Sequence, residues 1–177
     1  MPSIVYNQII SIINDTPLKN ESFNIFVETG THAGYTVKNM IPYFNKIHTI
    51  ELSEEFYNDA VNKFKNNDNV ILYLGDSAKV LPTLIDKLGG NTIFFLDGHW
   101  SGGDTAQGDK DCPLVEELVA INKFKHKSII IIDDYRLFGT NYNEDWSLIT
   151  DENIKKPIQE RIIYTTVNND RLILVIE

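Results

Sequence analysis

Hydrophobic and polar positions follow two rhythms along this chain. Five short apolar blocks, FNIFV (23–27), KIHTIEL (46–52), NVILYL (69–74), TIFFL (92–96) and SIIIID (128–133), are too brief for helices and read as strands buried on both faces. Between them, apolar residues recur at helical spacing from Tyr35 to Phe44, Glu54 to Phe64, Ala78 to Leu88 and Pro113 to Phe124. Ser53 ahead of two glutamates, and Pro113 at a first turn, are helix-start signals. Strand, helix and strand joined by such short crossovers predict a parallel sheet with helices on both faces.

The carboxyl end breaks the rhythm. RIIYTTV (161–167) and RLILVIE (171–177) are separated only by NND, which predicts an antiparallel hairpin at the end of the sheet. The expected architecture is α/β: one domain over 1–177, with a Rossmann-like, doubly wound, mostly parallel sheet of seven strands. One irregular segment, SGGDTAQGDKDC (101–112), is polar, carries three glycines and is too long for a routine connection, so it reads as an active-site loop.

Composition then excludes several partners. A hydrophobic content of 42% and a charged content of 23% belong to an ordinary globular domain. The net charge of -9 works against nucleic acid, because phosphate contacts need clustered Lys and Arg. A small molecule or a neutral glycan suits this charge better. Cys112 is the only cysteine, so no intrachain disulfide forms and a reducing compartment is expected. The opening MPSIVYNQIISIIND lacks the layout of a secretory signal, and no apolar run approaches a membrane span. A soluble cytoplasmic protein with no membrane partner is therefore expected.

Sheets of this type place ligands at the carboxyl ends of their strands. After the first strand comes VETGTHAGYT (27–36), where Gly30 and Gly34 permit a tight turn and the next helix offers unpaired N–H groups. Glu51 ends the second strand, where a carboxylate can accept both hydroxyls of a ribose. Asp76 ends the third, where it can accept from the amino group of adenine. Each acid taken singly is as readily a solvated strand end or a helix cap, and Asp76 and Ser77 are both good caps. Asp133 and Asp134 close the fifth strand, either as solvated exit residues or as half of a site.

ETGTHAGYT, the acid of HTIEL, GDSAKVL and the LDG of the fourth strand resemble, in order and spacing, the motifs of class I S-adenosylmethionine-dependent methyltransferases. The resemblance covers nearly the whole chain. It implies that Glu28 lies near the methionine amine of the cofactor, that Gly30 and Gly34 lie beneath it, that Glu51 holds the ribose and that Asp76 holds the adenine. Thr31, Thr36, Ser77 and Asp97 complete the cofactor contacts expected on that basis. The flanking Thr29 and Thr31 depart from the glycine or small apolar residues of many members.

LDGH followed by IIIIDDY looks like a subgroup of these enzymes that methylates sugar hydroxyls of macrolide and aminocoumarin antibiotics. By this resemblance Asp97, Asp133 and Asp134 are metal ligands, with Asp97 and the presumed base His99 the catalytic residues. In the family's strand order the three acids share one sheet edge, where they repel unless a cation sits among them, and oxygen ligands suit magnesium. The implied activity is metal-dependent O-methylation of a saccharide or similar small hydroxylated substrate. Trp100 and Tyr135 are candidates to flank a sugar ring, or are ordinary packing. His32, His48 and His126 read as structural. The pocket is expected to be closed by the 101–112 loop or by a second copy of the chain in a homo-oligomer. Two other readings stand beside this one: a nicotinamide-dependent oxidoreductase, although GTHAG departs from GxGxxG, and a methyltransferase-like module that binds without turnover.

Overall fold

The computed structural model describes residues 3–99, 112–141 and 144–177. Trp100 and all of the expected 101–112 loop except Cys112 fall outside them. The elements run α1 (Tyr6–Asn14), β1 (Ile25–Thr29), α2 (Tyr35–Met40), β2 (Lys46–Glu51), α3 (Glu54–Phe64), β3 (Val70–Leu74), α4 (Ser77–Leu84), β4 (Thr92–Leu96), α5 (Leu114–Ile121), β5 (Ser128–Ile132), α6 (Asp151–Lys155), β6 (Ile162–Asn168) and β7 (Arg171–Ile176). They build one seven-stranded sheet in the order β3-β2-β1-β4-β5-β7-β6. The first five strands in that order are parallel, and β7 runs antiparallel to both β5 and β6.

The four consecutive isoleucines of β5 are explained by the two faces of this sheet. Ile130 and Ile132 point with Phe94, Leu118 and Leu174 into the core beneath α4, α5 and α6. Ile129 and Ile131 point with Phe26, Phe95 and Met40 into the core beneath α1, α2 and α3. A strand covered on both sides has no polar face, and each such side chain contributes about 2 kcal/mol by burial.

Several elements differ from the sequence expectation, and α4 and α5 are shorter than expected, ending at Leu84 and Ile121. β1 lies two residues further on, at 25–29 rather than 23–27, so Glu28 and Thr29 are inside the strand. A carboxylate can occupy that interior because Thr49 donates to Glu28 Oε2 at 2.8 Å and Thr36 adds a second hydroxyl. α2 stops at Met40 instead of continuing to Phe44. α6 and the following 3-10 turn (Lys156–Arg161) were not expected, because their short pattern contains Pro157 and carries little helical period.

The amino-terminal segment is tied to the sheet edge before α1 begins. Ser3 N–H donates to Thr36 Oγ1 at 3.2 Å, Arg171 donates to the Ser3 carbonyl, and Tyr6 N–H donates to Asn39 Oδ1 at 2.9 Å. Among the described residues no helix is long and apolar enough to cross a membrane.

Candidate functional site

The five parallel strands end on one edge, in near register: Thr29 pairs with Ile50 and Leu96, Glu51 with Leu74, and Leu96 with Ile132. The chain leaves β1 toward β2 on one side and meets β4 on the other, so a crevice opens between β1 and β4. Every acid singled out in the sequence lies along this edge.

The turn after β1 needs its glycine for a reason internal to the chain. Gly30 has φ +85°, and a Cβ there would lie 2.5 Å from the Asp97 carbonyl oxygen. Gly34 has φ +66°, and a Cβ there would meet the Phe64 ring at 2.8 Å. Both glycines therefore let strand ends and a helix approach one another, holding the β1 turn against the β4 turn. Thr31 shares a 2.6 Å hydrogen bond with Thr49, whose hydroxyl reaches Glu28. Burial drives the Glu28 carboxyl well above its ordinary range, and the charges of Asp97 and Glu51 push the same way against the Thr49 hydrogen bond.

Glu51 accepts from His32 N–H at 2.7 Å through one oxygen and from Ser53 N–H at 2.8 Å through the other. Its orientation is thus fixed by backbone, with lone pairs left over for further donors. Asp76 caps α4 through Ala78 N–H at 2.9 Å, and its second oxygen lies 3.5 Å from Lys79 Nζ. Ser77, the first residue of α4, is buried.

On the other side of the crevice, Asp97, His99 and Asp134 each offer a ligand atom, all within 4.8 Å of one another. His99 Nε2 is 3.2 Å from Asp134 Oδ2, and its Nδ1 is 3.9 Å from Asp97 Oδ1. Asp134 reaches inward because it adopts a left-handed backbone, φ +58°, a conformation Asp tolerates better than most residues. Burial, reinforced by Asp133, pushes the Asp97 carboxyl up to about 7, while His99 and a hydrogen bond with Ser3 act against it. Burial would lower the His99 pKa, yet the hydrogen bond to Asp134 and the charges of Asp97, Asp134 and Glu144 raise it. The hydrogen bond from His99 holds Asp134 below the usual carboxylate range.

Asp133 stands apart from this trio. Its Oδ1 lies 3.1 Å from Arg171 Nε, at an angle that makes the contact an ion pair rather than an aligned hydrogen bond. Arg136 likewise pairs with Asp134 and Asp170. The protein itself therefore supplies cations to the cluster, and repulsion among the three aspartates does not by itself require a metal.

Several contributors carried no signal in the sequence. Glu144 accepts from Trp146 Nε1 at 2.8 Å and comes within 3.9 Å of His99, yet it lies in an irregular stretch without a motif. Trp146, 2% exposed, packs edge-on against His99 at 4.9 Å. Glu117 was hidden in an ordinary helical pattern. It is 1% exposed, and burial pushes its carboxyl up to about 7, with the nearby Ser77 and Thr29 hydroxyls acting against the rise and Asp76 and Glu116 adding to it; its Oε1 has no hydrogen-bond partner. Gly98, His99, Cys112, Glu117, Asp133 and Trp146 line a small cavity with room for about one water molecule. Tyr135 is half-buried and packed on Phe138, and Asp151 beside it helps to raise the pKa of its hydroxyl. His48 is buried against Tyr73, with ring nitrogen and hydroxyl 3.0 Å apart.

No family model matches the sequence, and no curated protein matches it. Solved structures do match over almost the whole chain. A Staphylococcus aureus protein provisionally named a caffeoyl-CoA O-methyltransferase superposes with a TM-score of 0.65 at 14% identity, covering 99% of this chain and 86% of its own. The fold is the class I methyltransferase fold. A Clostridium thermocellum protein provisionally named an rRNA methylase gives 0.61 at 16% identity over 100% and 98% of the two chains. An S-adenosylmethionine-dependent methyltransferase from Clostridium acetobutylicum gives 0.55 at 16% identity over 99% and 92%. Identities this low establish the methyltransferase fold and leave the chemistry to the residues in the crevice.

Proposed function

We propose that this chain is an S-adenosylmethionine-dependent O-methyltransferase that works with a divalent metal on a hydroxyl of a saccharide or similar small substrate. The observation that carries the reading is the array along the strand ends. Glu28, Glu51 and Asp76 stand on three successive strands or their exits, and Asp97, His99 and Asp134 follow across the β1–β4 crevice of a methyltransferase fold. Glu51 suits a ribose, and Asp76 and Ser77 suit an adenine edge. Glu28, with hydroxyls around it, suits an amine. S-adenosylmethionine supplies an electrophilic sulfonium methyl when bound.

The residues of the cluster also fit a metal. Asp97 and Asp134 offer hard oxygen donors, while Asp133, paired with Arg171 through Oδ1, lies outside that trio. A divalent ion, held by Asp97 and Asp134, would supply Lewis acidity that makes a hydroxyl bound to it easier to deprotonate. His99 is placed to take the substrate proton at a ring nitrogen, where Asp134 and Glu144 beside it would stabilise the imidazolium. Trp146 and the Gly30–Asp97 contact hold the two halves of the crevice in place, and such positioning supplies much of the catalysis in a single methyl transfer.

The surroundings favour a neutral acceptor. Acidic side chains line both halves of the crevice, and the nearby guanidinium groups of Arg136 and Arg171 are already paired. An RNA or a phosphorylated thioester substrate would meet repulsion there, whereas a sugar hydroxyl would not. The test is calorimetric titration of S-adenosylhomocysteine with and without magnesium, with NADH as control. Methyl transfer to sugars, catechols and RNA is then assayed. Micromolar binding of the homocysteine nucleoside, no binding of NADH, and metal-stimulated transfer to a sugar are expected; binding of NADH alone would replace this reading with an oxidoreductase.

A further inference from the structure

The two ring nitrogens of His99 have unequal surroundings. Nε2 lies 3.2 Å from Asp134 Oδ2 and 3.9 Å from Glu144 Oε2, while Nδ1 has Asp97 Oδ1 at 3.9 Å. Only the Asp134 contact is within hydrogen-bond reach, and a carboxylate can only accept. Nε2 therefore carries the proton of the neutral ring and donates it to Asp134, and the Nδ1 lone pair is left for another donor.

The ring is held that way by residues that no motif marks. Trp146, 2% exposed, meets it edge-on, with ring centres 4.9 Å apart and planes at 70°. The indole is fixed in turn, because its Nε1–H donates to Glu144 Oε2 at 2.8 Å, the same oxygen that approaches His99 Nε2. Its backbone is tied as well: Trp146 N–H donates to the Thr140 carbonyl at 3.0 Å, and the Trp146 carbonyl accepts from Gly139 N–H at 3.1 Å and Ile149 N–H at 2.9 Å. A half-turn of the imidazole would exchange carbon for nitrogen at both ring positions and set a C–H against Asp134.

We propose that Trp146 and Glu144 are positioning residues that fix the His99 ring, so that Nδ1, on the Asp97 side, is the nitrogen that takes the proton of the acceptor hydroxyl. Both act through His99 rather than through the acceptor. As the O–H bond of the acceptor breaks, its proton goes to the Nδ1 lone pair and its electron pair stays on oxygen, which bonds to the sulfonium methyl while the C–S pair returns to sulfur. The imidazolium so formed lies between Asp97 on one side and Asp134 with Glu144 on the other. The inference rests on the O-methyltransferase reading above. It adds which atom of His99 works and what holds that atom in place.

Two readouts on the whole protein test this. The first is proton–nitrogen correlation NMR of the His99 ring, assigned with a His99→Asn variant, at a pH high enough to leave the ring neutral. Wild type is expected to show the Nε2–H tautomer, and Trp146→Phe, which keeps an aromatic ring but offers Glu144 no N–H, is expected to move toward the average of the two tautomers. The second is the kinetics of methyl transfer to a sugar. Trp146→Phe and Glu144→Gln are each expected to lower kcat by about tenfold, with KM and S-adenosylhomocysteine affinity within about twofold. Because the two residues act as one unit, the double variant is expected to lose no more than about tenfold. A loss confined to KM, losses that multiply in the double variant, or an unchanged kcat in both single variants would overturn the proposal. If Trp146→Phe does not fold, Glu144→Gln carries both readouts. An Nδ1–H ring in an active enzyme sinks the proposal alone, whereas a wild type that methylates no hydroxyl sinks the O-methyltransferase reading and takes the proposal with it.

Discussion

A buried carboxyl surrounded by other carboxyls holds its proton more tightly than the same group in the unfolded chain, and this makes stability depend on pH. Glu117, whose pKa is pushed up to about 7 from about 4.5, is such a group. The folded state binds the extra proton, so its stabilising effect is complete below about pH 4.5 and is lost as pH rises through 7. A shift of this size corresponds to roughly 3 kcal/mol. Glu117→Gln cannot ionise, so the loss of stability between pH 5 and pH 8 should be smaller in the variant, by urea denaturation at the two pH values. Asp97 titrates in the same window, so the slope should shrink without vanishing.

Arg171 makes the complementary case. It is 8% exposed and pairs with Asp133, so Arg171→Ala leaves a half-buried carboxylate without its cation. Breaking such a pair costs roughly 3 kcal/mol, and urea denaturation should report a loss of that order. The chemistry of the cluster is tested separately. His99→Ala should lower kcat for methyl transfer by about a hundredfold or more, while S-adenosylhomocysteine binding stays within about twofold, if His99, beside Asp134, serves as the proposed base on the acceptor side. A matching loss of cofactor affinity would place His99 on the wrong side.

At the scale of elements, the contact between the turns after β1 and β4 is the joint on which the crevice depends. Gly30 joins them because only a residue without Cβ can sit at φ +85° with the Asp97 carbonyl 2.5 Å from the Cβ position. Gly30→Ala should therefore destabilise by roughly 2 kcal/mol in thermal unfolding. It should also weaken S-adenosylhomocysteine binding, since it displaces the Asp97 turn. Gly98 repeats the device from the other side, with a Cβ there only 2.9 Å from Thr29 Cβ. Sequence reading identified the glycine loop as a tight turn, and the structure adds what the glycines make room for within the chain: the Asp97 turn at Gly30 and the Phe64 ring of α3 at Gly34.

At the scale of the whole molecule, charge is what favours a neutral acceptor in the proposed reading. A net charge of -9, with acids along one sheet edge and, among the described residues, Arg136 and Arg171 there already paired, works against polyanions. Filter binding to structured RNA at low salt should give no measurable retention, although one protein sharing the fold is provisionally named an rRNA methylase. Tight, salt-sensitive RNA binding would reverse the choice of substrate class.

The alternation of apolar blocks and helical patterns was enough to determine the parallel sheet, its antiparallel ending and the edge that carries the acids. Each of those follows from local periodicity and from the chirality of strand crossovers. Glu28, Glu51, Asp76, Asp97, Asp133 and Asp134 were legible for the same reason, since polar residues that close apolar strands stand out in a linear string. Tertiary structure alone decided which of them meet. It drew Asp134 to His99, gave Asp133 to Arg171, and brought Glu117 and Glu144 in from a helix and an irregular stretch. Those partners are set by long-range packing, and no spacing along the chain encodes the distance between side chains that only the folded sheet and its helices bring together.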